Sequence, residues 1–168
     1  MSQLSLSLDS SLLVRDVAGD YRAANADEVL QAARRVLAGQ MRGCEALTSP
    51  QVVRDFLRVK LGTLEHEVFA VIHLDAQNRV IDYVEMFRGT VSQTSVYPSE
   101  VVKEALARNS AALLLVHNHP SGAAEPSRAD EMLTQTLKSA LALVDVRVLD
   151  HLIVAGSAIL SFAERGLL

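Results

Sequence analysis

The 168-residue sequence contains no tryptophan and only one cysteine, Cys44. A single cysteine cannot form a disulfide within the chain, and it excludes the cysteine-rich zinc sites that stabilise small folds. No neighbouring residue indicates an activated thiol, so we interpret Cys44 as an ordinary small side chain. The longest apolar runs, such as AALLLV at 111–116, are far shorter than the ~20 residues of a membrane-spanning helix. The sequence therefore gives no reason to expect a membrane partner.

The chain also lacks an excess of positive charge, since its formal net charge is −4. A free-standing nucleic-acid-binding domain normally has a basic surface, so the net charge does not support a nucleic-acid partner. The sequence MSQLSLSLDSS at the start has no basic segment followed by an apolar block, unlike a secretory signal. We therefore expect a cytoplasmic protein. Two basic groups are interpreted as solvated helix faces: Arg34, Arg35 and Arg42, and Arg54, Arg58 and Lys60.

Apolar periodicity predicts a mixed α/β domain, with a central mixed sheet flanked by helices and a short helical region in front. Helical spacing between capping residues predicts four helices, at 24–40, 49–61, 98–109 and 127–144. Strand patterns occur at 67–74, 79–87, 111–117 and twice within 146–164. The run 111–117 is continuously apolar, as expected of a strand that is buried on both faces. The apolar residues Leu4, Leu6 and Leu8 alternate only weakly, so this segment is interpreted either as an edge strand or as a loose arm.

Two histidines, His117 and His119, stand one residue apart at the end of the predicted strand 111–117. In an extended chain, period-2 alternation places both imidazoles on the same side, which suits two nitrogen ligands of one metal ion. Asp130 follows in the first turn of the next predicted helix, from where it can reach the strand end. Two histidines and one carboxylate, with a fourth position for water, are a ligand set of catalytic zinc. An isolated His-x-His is weak evidence, and an incidental surface turn stays open.

A catalytic zinc also needs a general base, and two acids precede the strand at 67–74. Glu67 lies directly before the apolar run VFAVI, but Glu65 competes equally on the sequence pattern alone. Ser127 is a candidate hydrogen-bond donor to an oxyanion. The segment from Ser127 to Asp130 is equally a helix start, with the serine as N-cap and the aspartate favoured by the helix dipole. For Asp130 the two roles are compatible.

These residues, taken in chain order, resemble the motif of the JAMM/MPN metalloprotease superfamily: Glu67, His117, His119, Ser127 and Asp130. The segments HNHPSG at 117–122 and EPSRAD at 125–130 are similar to the RadC-like branch of that superfamily. The resemblance covers roughly residues 49–168. It leaves 1–48 as a short, partly helical N-terminal extension.

The resemblance implies an α/β fold of the MPN type, related to that of cytidine deaminases. It also implies one Zn²⁺ per chain, held by His117, His119 and Asp130. In that superfamily an acid beside the apolar strand activates the zinc-bound water, which selects Glu67. The serine position implies that Ser127 helps to stabilise the tetrahedral intermediate.

The leading hypothesis is a zinc-dependent metallohydrolase that cleaves a peptide or isopeptide amide bond in a protein or peptide. The alternative is a non-catalytic or accessory protein of DNA repair or DNA metabolism, with a structural or relic zinc site. Longer RadC-like proteins carry a helix-hairpin-helix region ahead of this domain, and residues 1–48 lack its Gly-centred hairpin signature. A nucleobase deaminase is excluded because the required paired cysteines are absent. Assembly of the chain into a homo-oligomer is compatible with the sequence.

The remaining histidines lie on or beside predicted strands. His151 follows Asp150, and it is either a satisfied, partly buried side chain or a support for the metal site. His66 and His73 are not predicted to be ligands. The loop 92–100 is a weak candidate for lining a cleft near the site.

Overall fold

The computed structural model of the chain describes residues 12–46, 49–89 and 95–168. The helices are Ala26–Met41 (α1), Pro50–Leu61 (α2), Pro98–Ala107 (α3), Arg128–Ala142 (α4) and Phe162–Arg165 (α5). The strands are Leu13–Arg15 (β1), Tyr21–Ala23 (β2), Val68–Leu74 (β3), Val80–Arg88 (β4), Ala112–Asn118 (β5), Arg147–Ala155 (β6) and Ala158–Ser161 (β7). All predicted helices and strands that fall on described residues are present. The prediction for Leu4, Leu6 and Leu8 lies outside the described residues.

The predicted mixed sheet is confirmed, with five strands in the order β4-β3-β5-β6-β7. Among the described strands of this sheet, only β5 and β6 pair in parallel, and the other neighbours are antiparallel. Helix α4 provides the connection that a parallel pair requires. All seven residues of the central strand β5 are buried, which confirms that helices cover both faces of it. Its C-terminal end, where His117 lies, is therefore held by a strand on each side.

Alternation along β3 divides the core into two layers. On one face of the sheet, Ala70 and Ile72 pack in a cluster with Phe56 and Leu57 of α2. On the other face, strand residues pack in a cluster with α3 and α4; its members include Phe69, Val71, Val101, Leu115 and Leu137. His117 follows Leu115 by two residues in β5, so it continues the row that faces α3 and α4.

Two features differ from the predictions. Residues 12–24 contain a small hairpin of β1 and β2, whose three-residue strands are too short to give a periodic signal. The second C-terminal strand stops at Ser161, whose hydroxyl accepts a hydrogen bond from the Glu164 amide and begins α5.

Within the part of the chain that is described, no helix combines the length and the apolar character needed to cross a membrane.

The tight turn between β6 and β7 contains a residue that suits its backbone conformation. Gly156 has φ of +58° in the two-residue turn between β6 and β7, a conformation that glycine adopts readily. This turn lies against the end of α2, where Gly156 O would be 2.5 Å from a Cβ atom placed on Gly62.

Candidate metal centre and its supports

The structure brings His117, His119 and Asp130 into one cluster at the end of β5 and the start of α4. One ligand atom from each lies within 4.8 Å of the others. The two histidine Nε2 atoms are 2.9 Å apart, His117 Nε2 is 3.2 Å from Asp130 Oδ1, and His119 Nε2 is 3.6 Å from Asp130 Oδ2. The His117 side chain is 2% exposed and that of His119 is 18% exposed, so the cluster opens to solvent on the His119 side. These three residues could hold a metal ion.

Strand geometry that continues beyond the end of β5 places the two imidazoles on one side. The His119 amide donates to Val154 O at 2.8 Å, so pairing with β6 extends one residue past Asn118. The chain then turns: the Gly122 amide donates to His119 O at 3.1 Å, with Gly122 at φ of +79°. The alternation expected for His-x-His is therefore maintained through the second histidine.

Asp130 takes part both in the helix start and in the cluster. Ser127 is the N-cap of α4, and its hydroxyl accepts from the Asp130 amide at 3.2 Å. The Asp130 carboxylate in turn accepts from the Ser127 amide and from the Ser127 hydroxyl, each at 2.7 Å. This reciprocal capping fixes the carboxylate with Oδ1 directed at His117.

The electrostatics of the cluster favour a negative carboxylate surrounded by donors. Burial alone would raise the pKa of Asp130, but His117 and His119, which donate to the carboxylate whenever their Nε2 atoms carry a proton, hold it well below its usual range. The hydrogen bond to Asp130 raises the pKa of His119, against the opposing effect of burial. The Ala123 carbonyl and the negative charge of Glu67 act in the same direction. The site therefore attracts a cation, whether a proton or a metal ion.

Glu67 lies in the short segment between α2 and β3, half buried. Phe69, two residues later, pairs with His117, so Glu67 precedes β3 at the end of the sheet where the cluster lies, whereas Glu65 is exposed. Asn118, the central residue of His-Asn-His, holds the backbone on both sides of Glu67. Its Oδ1 accepts from the Val68 amide at 2.8 Å, and its Nδ2 donates to His66 O at 2.9 Å. This role of Asn118 was not predicted from the sequence.

His151 and Thr134 lie directly behind the cluster. His151 is fully buried, more than the partly buried side chain that was predicted, and its Nε2 lies 2.8 Å from His117 Nδ1. Burial lowers the pKa of His151 well below its usual value. On its other side, His151 Nδ1 lies 2.6 Å from the Thr134 hydroxyl. Thr134 was missed by sequence reasoning, although it follows Asp130 by four residues and so shares its helix face.

The other predicted features lie away from the cluster or outside the described part. His73 contacts the Ser110 hydroxyl through Nδ1 at 2.8 Å, and His66 lies 3.4 Å from an Arg88 nitrogen. Within the predicted loop 92–100, residues 92–94 are outside the described residues. Tyr97 of the remaining part packs its ring 5.9 Å from that of Phe87.

Comparison with known proteins agrees with this fold. The sequence matches the RadC-like JAB domain family over residues 47–167. The chain belongs to this family. Among similar proteins is a UPF0758 protein of Leptothrix cholodnii, 61% identical over 150 residues, which are 89% of this chain and 68% of that protein. Another, from Aromatoleum aromaticum, is 63% identical over 151 residues, 89% of this chain and 67% of that protein.

A third relative, a UPF0758 protein of Methylibium petroleiphilum, is 56% identical over 167 residues, 95% of this chain and 75% of its own length. The predicted RadC-like family and MPN-type fold are thereby confirmed. The division of this RadC-like chain at residues 48 and 49 stays a prediction. The JAB superfamily includes metallohydrolases, and its domains typically bind zinc.

The donor set in this RadC-like domain fits zinc. Zinc bound to histidine nitrogen and carboxylate oxygen at ~2.0–2.1 Å in a tetrahedron separates its ligand atoms by about 3.3–3.4 Å. The two Nε2 atoms are 2.9 Å apart, and Asp130 presents Oδ1 3.2 Å from one of them and Oδ2 3.6 Å from the other, so both carboxylate oxygens face the histidine pair at separations close to that value. Two neutral imidazoles and one carboxylate are also a common protein ligand set for a catalytic zinc.

Proposed function

We propose that this chain is a zinc-dependent hydrolase that cleaves a peptide or isopeptide amide bond in a protein or peptide. The observation that carries the proposal is the convergence of two imidazole nitrogens and one carboxylate within 4.8 Å of one another, near the negative charge of Glu67. The partly open side of the cluster, at His119, leaves an approach for a substrate. Membership of a superfamily that includes metallohydrolases supports the same reaction class.

In this proposal the chain's residues divide three tasks. His117, His119 and Asp130 would hold the zinc, which supplies Lewis-acid polarisation of a carbonyl and lowers the pKa of a nearby water. Glu67 takes a proton from the attacking water and delivers it to the leaving nitrogen. The Asn118 amide, bonded on both sides of Glu67, limits the positions that this carboxylate can reach.

Ser127 has a second task in the proposal. Its hydroxyl donates to Asp130 Oδ2 at 2.7 Å, so it must rotate away to donate a hydrogen bond to an oxyanion. The Asp130 carboxylate retains the hydrogen bond from the Ser127 amide when that happens, because the amide is a separate donor. Only the hydroxyl proton has to turn about the Cβ–Oγ bond, so Ser127 Oγ can still accept from the Asp130 amide and the start of α4 is unchanged.

The test is substitution of the proposed base with the metal site left intact. Glu67→Gln should retain zinc, measured by elemental analysis, and should reduce cleavage of a peptide and isopeptide substrate library by ~10²–10⁴-fold. Glu65→Gln is the matched control, because Glu65 is the exposed neighbouring acid, and it should change neither quantity. Loss of zinc from Glu67→Gln, or full retention of hydrolysis, would contradict the role of Glu67. Zinc binding without hydrolysis in the parent would favour an accessory role in DNA metabolism instead.

A further inference from the structure

Hydrogen bonds that have only one allowed direction connect Thr134 to His117 through His151. The Thr134 Oγ1 atom lies 2.6 Å from Asp130 O and 2.6 Å from His151 Nδ1. A backbone carbonyl can only accept, so the hydroxyl proton must point at Asp130 O. The reverse assignment would leave two oxygen acceptors in contact at 2.6 Å without a proton between them.

The direction of that first bond determines the rest of the chain of bonds. With its own proton on Asp130 O, Thr134 Oγ1 accepts a hydrogen bond from His151 Nδ1–H. The other nitrogen of a neutral His151 then has no proton, and it accepts from His117 Nδ1–H at 2.8 Å. A neutral His117 consequently presents the lone pair of Nε2 to the cluster.

His119 reaches the same state by a simpler route. Its Nδ1 lies 2.8 Å from Ala123 O, and this carbonyl requires Nδ1 to carry the proton. In a neutral His119 the Nε2 lone pair therefore also points at the cluster. Two lone pairs 2.9 Å apart repel each other unless a cation lies between them, which is the arrangement that a metal site needs.

The surroundings of His151 keep these bonds free from competition with water. The ring is fully buried, with the Phe162 ring centroid 4.8 Å away and the Phe69 ring centroid 6.1 Å away. Thr134 is also fully buried. Within this enclosure, each nitrogen of His151 has one polar partner among the described residues, so neither can exchange its bond for one to solvent.

We propose that Thr134 and His151 are positioning residues that set the tautomer of His117, so that its Nε2 is a metal-binding lone pair. This inference rests on the proposed zinc site, because the tautomer matters only if His117 is a ligand. Removal of the Thr134 hydroxyl takes away the acceptor of His151 Nδ1–H. The His151 proton is then more stable on Nε2, from where it donates to His117 Nδ1. His117 must in turn carry its own proton on Nε2, which blocks metal binding at that nitrogen.

Three variants separate this effect from simple packing. Thr134→Val removes the hydroxyl and keeps the shape of the side chain, whereas Thr134→Ser keeps the hydroxyl and removes a methyl group. Thr136→Val is the matched control on the same helix, because the Thr136 hydroxyl also donates to the carbonyl four residues earlier, Met132 O at 2.8 Å, but is exposed and contacts no histidine.

Zinc affinity, measured by competition with a chelator, should fall by ~10–100-fold in Thr134→Val, as is typical for loss of a group that orients a metal ligand. Thr134→Ser and Thr136→Val should retain the parent affinity. Unfolding of each variant in urea without metal reports packing separately. Equal zinc affinity in Thr134→Val and the parent would overturn the proposal, and so would an equal loss in Thr134→Ser.

The tautomer of His117 can be measured directly in the metal-free protein. In the metal-free parent at mildly alkaline pH, the ¹⁵N shifts of His117 should show a protonated Nδ1, and Thr134→Val should shift the proton to Nε2. A parent His117 protonated at Nε2 would overturn the inference whether or not zinc binds. If the parent shows the expected tautomer but binds no zinc, the proposed function fails and the hydrogen-bond assignment survives.

Discussion

Asp130 provides the sharpest test of the cluster, because it has a structural role in α4 and a proposed role as a ligand. Asp130→Asn keeps the shape of the side chain and removes its charge. The amide oxygen can still accept from the Ser127 amide, and the new NH₂ group would face the Nε2 atom of His117. Loss of charge at the helix start and of part of the capping should lower metal-free stability by about 0.5–2 kcal/mol.

The effect of Asp130→Asn on zinc affinity should be much larger than its effect on metal-free stability. Removal of a group that only orients a ligand already costs ~10–100-fold in affinity, so loss of the single anionic ligand should cost at least ~100-fold. At a zinc concentration of ~100 times the parent Kd, binding stabilises the parent by ~2.7 kcal/mol, and a variant bound 100-fold more weakly by only ~0.4 kcal/mol. For a chain of this size these values correspond to zinc-dependent Tm increases of roughly 5–10 °C and roughly 1 °C.

The assay is thermal unfolding of parent and variant with and without zinc, and the quantity compared is the increase in Tm that zinc causes. Glu28→Gln is the control, because Glu28 forms the same type of capping box with Asn25 in α1. It should lower the baseline Tm and retain the full zinc-dependent increase. An equal increase in Asp130→Asn and the parent would refute the assignment of Asp130 as a ligand.

Two further predictions concern buried polar groups of the central sheet. Burial, with a smaller contribution from the positive charge of Arg108, lowers the pKa of His73 to about 4. In the unfolded chain His73 protonates near pH 6.5. The free energy of unfolding is therefore unaffected by His73 above that pH and falls by up to ~3 kcal/mol as the pH is lowered towards 4. Urea unfolding should show a smaller loss between pH 7 and pH 4.5 in His73→Gln, and parallel losses would contradict this. Asn118→Ala leaves the Val68 amide and His66 O without their partner, so urea unfolding should show a loss of ~1–3 kcal/mol while zinc affinity is unchanged. A large loss of zinc affinity would show that Asn118 also orients the histidines.

The sequence predicted most elements of this fold because those elements have a local signal. Pro50 and Pro98 stand at the first positions of α2 and α3, and the capping pair of Ser127 and Asp130 marks the start of α4. The His-x-His pair was predictable for a related reason, since alternation in a strand is a local property. These features need no knowledge of which strands pair.

The supports of the cluster could not be predicted in the same way. Thr134 reaches His151 only because α4 packs beside β6, and His151 reaches His117 only through the parallel register of β5 and β6. A buried threonine in a helix has no pattern that distinguishes it from other helical threonines such as Thr136. The positions of these two supports therefore depend on pairing between distant segments, which periodicity in the sequence does not reveal.

Alternation also explains why the central residue of His-Asn-His matters as much as its neighbours. His117 and His119 extend to one side of the strand and meet Asp130, while Asn118 binds the backbone on both sides of Glu67. One three-residue segment thus connects the proposed ligands to the proposed base. A shift of one residue in the pairing of β5 would place Asn118 in the cluster and remove both histidines from it. The antiparallel pairing of His117 with Phe69, and its parallel pairing with Ile153, fixes that register from both sides. The buried sheet is in this sense part of the site, because it determines which of the three side chains faces the metal position.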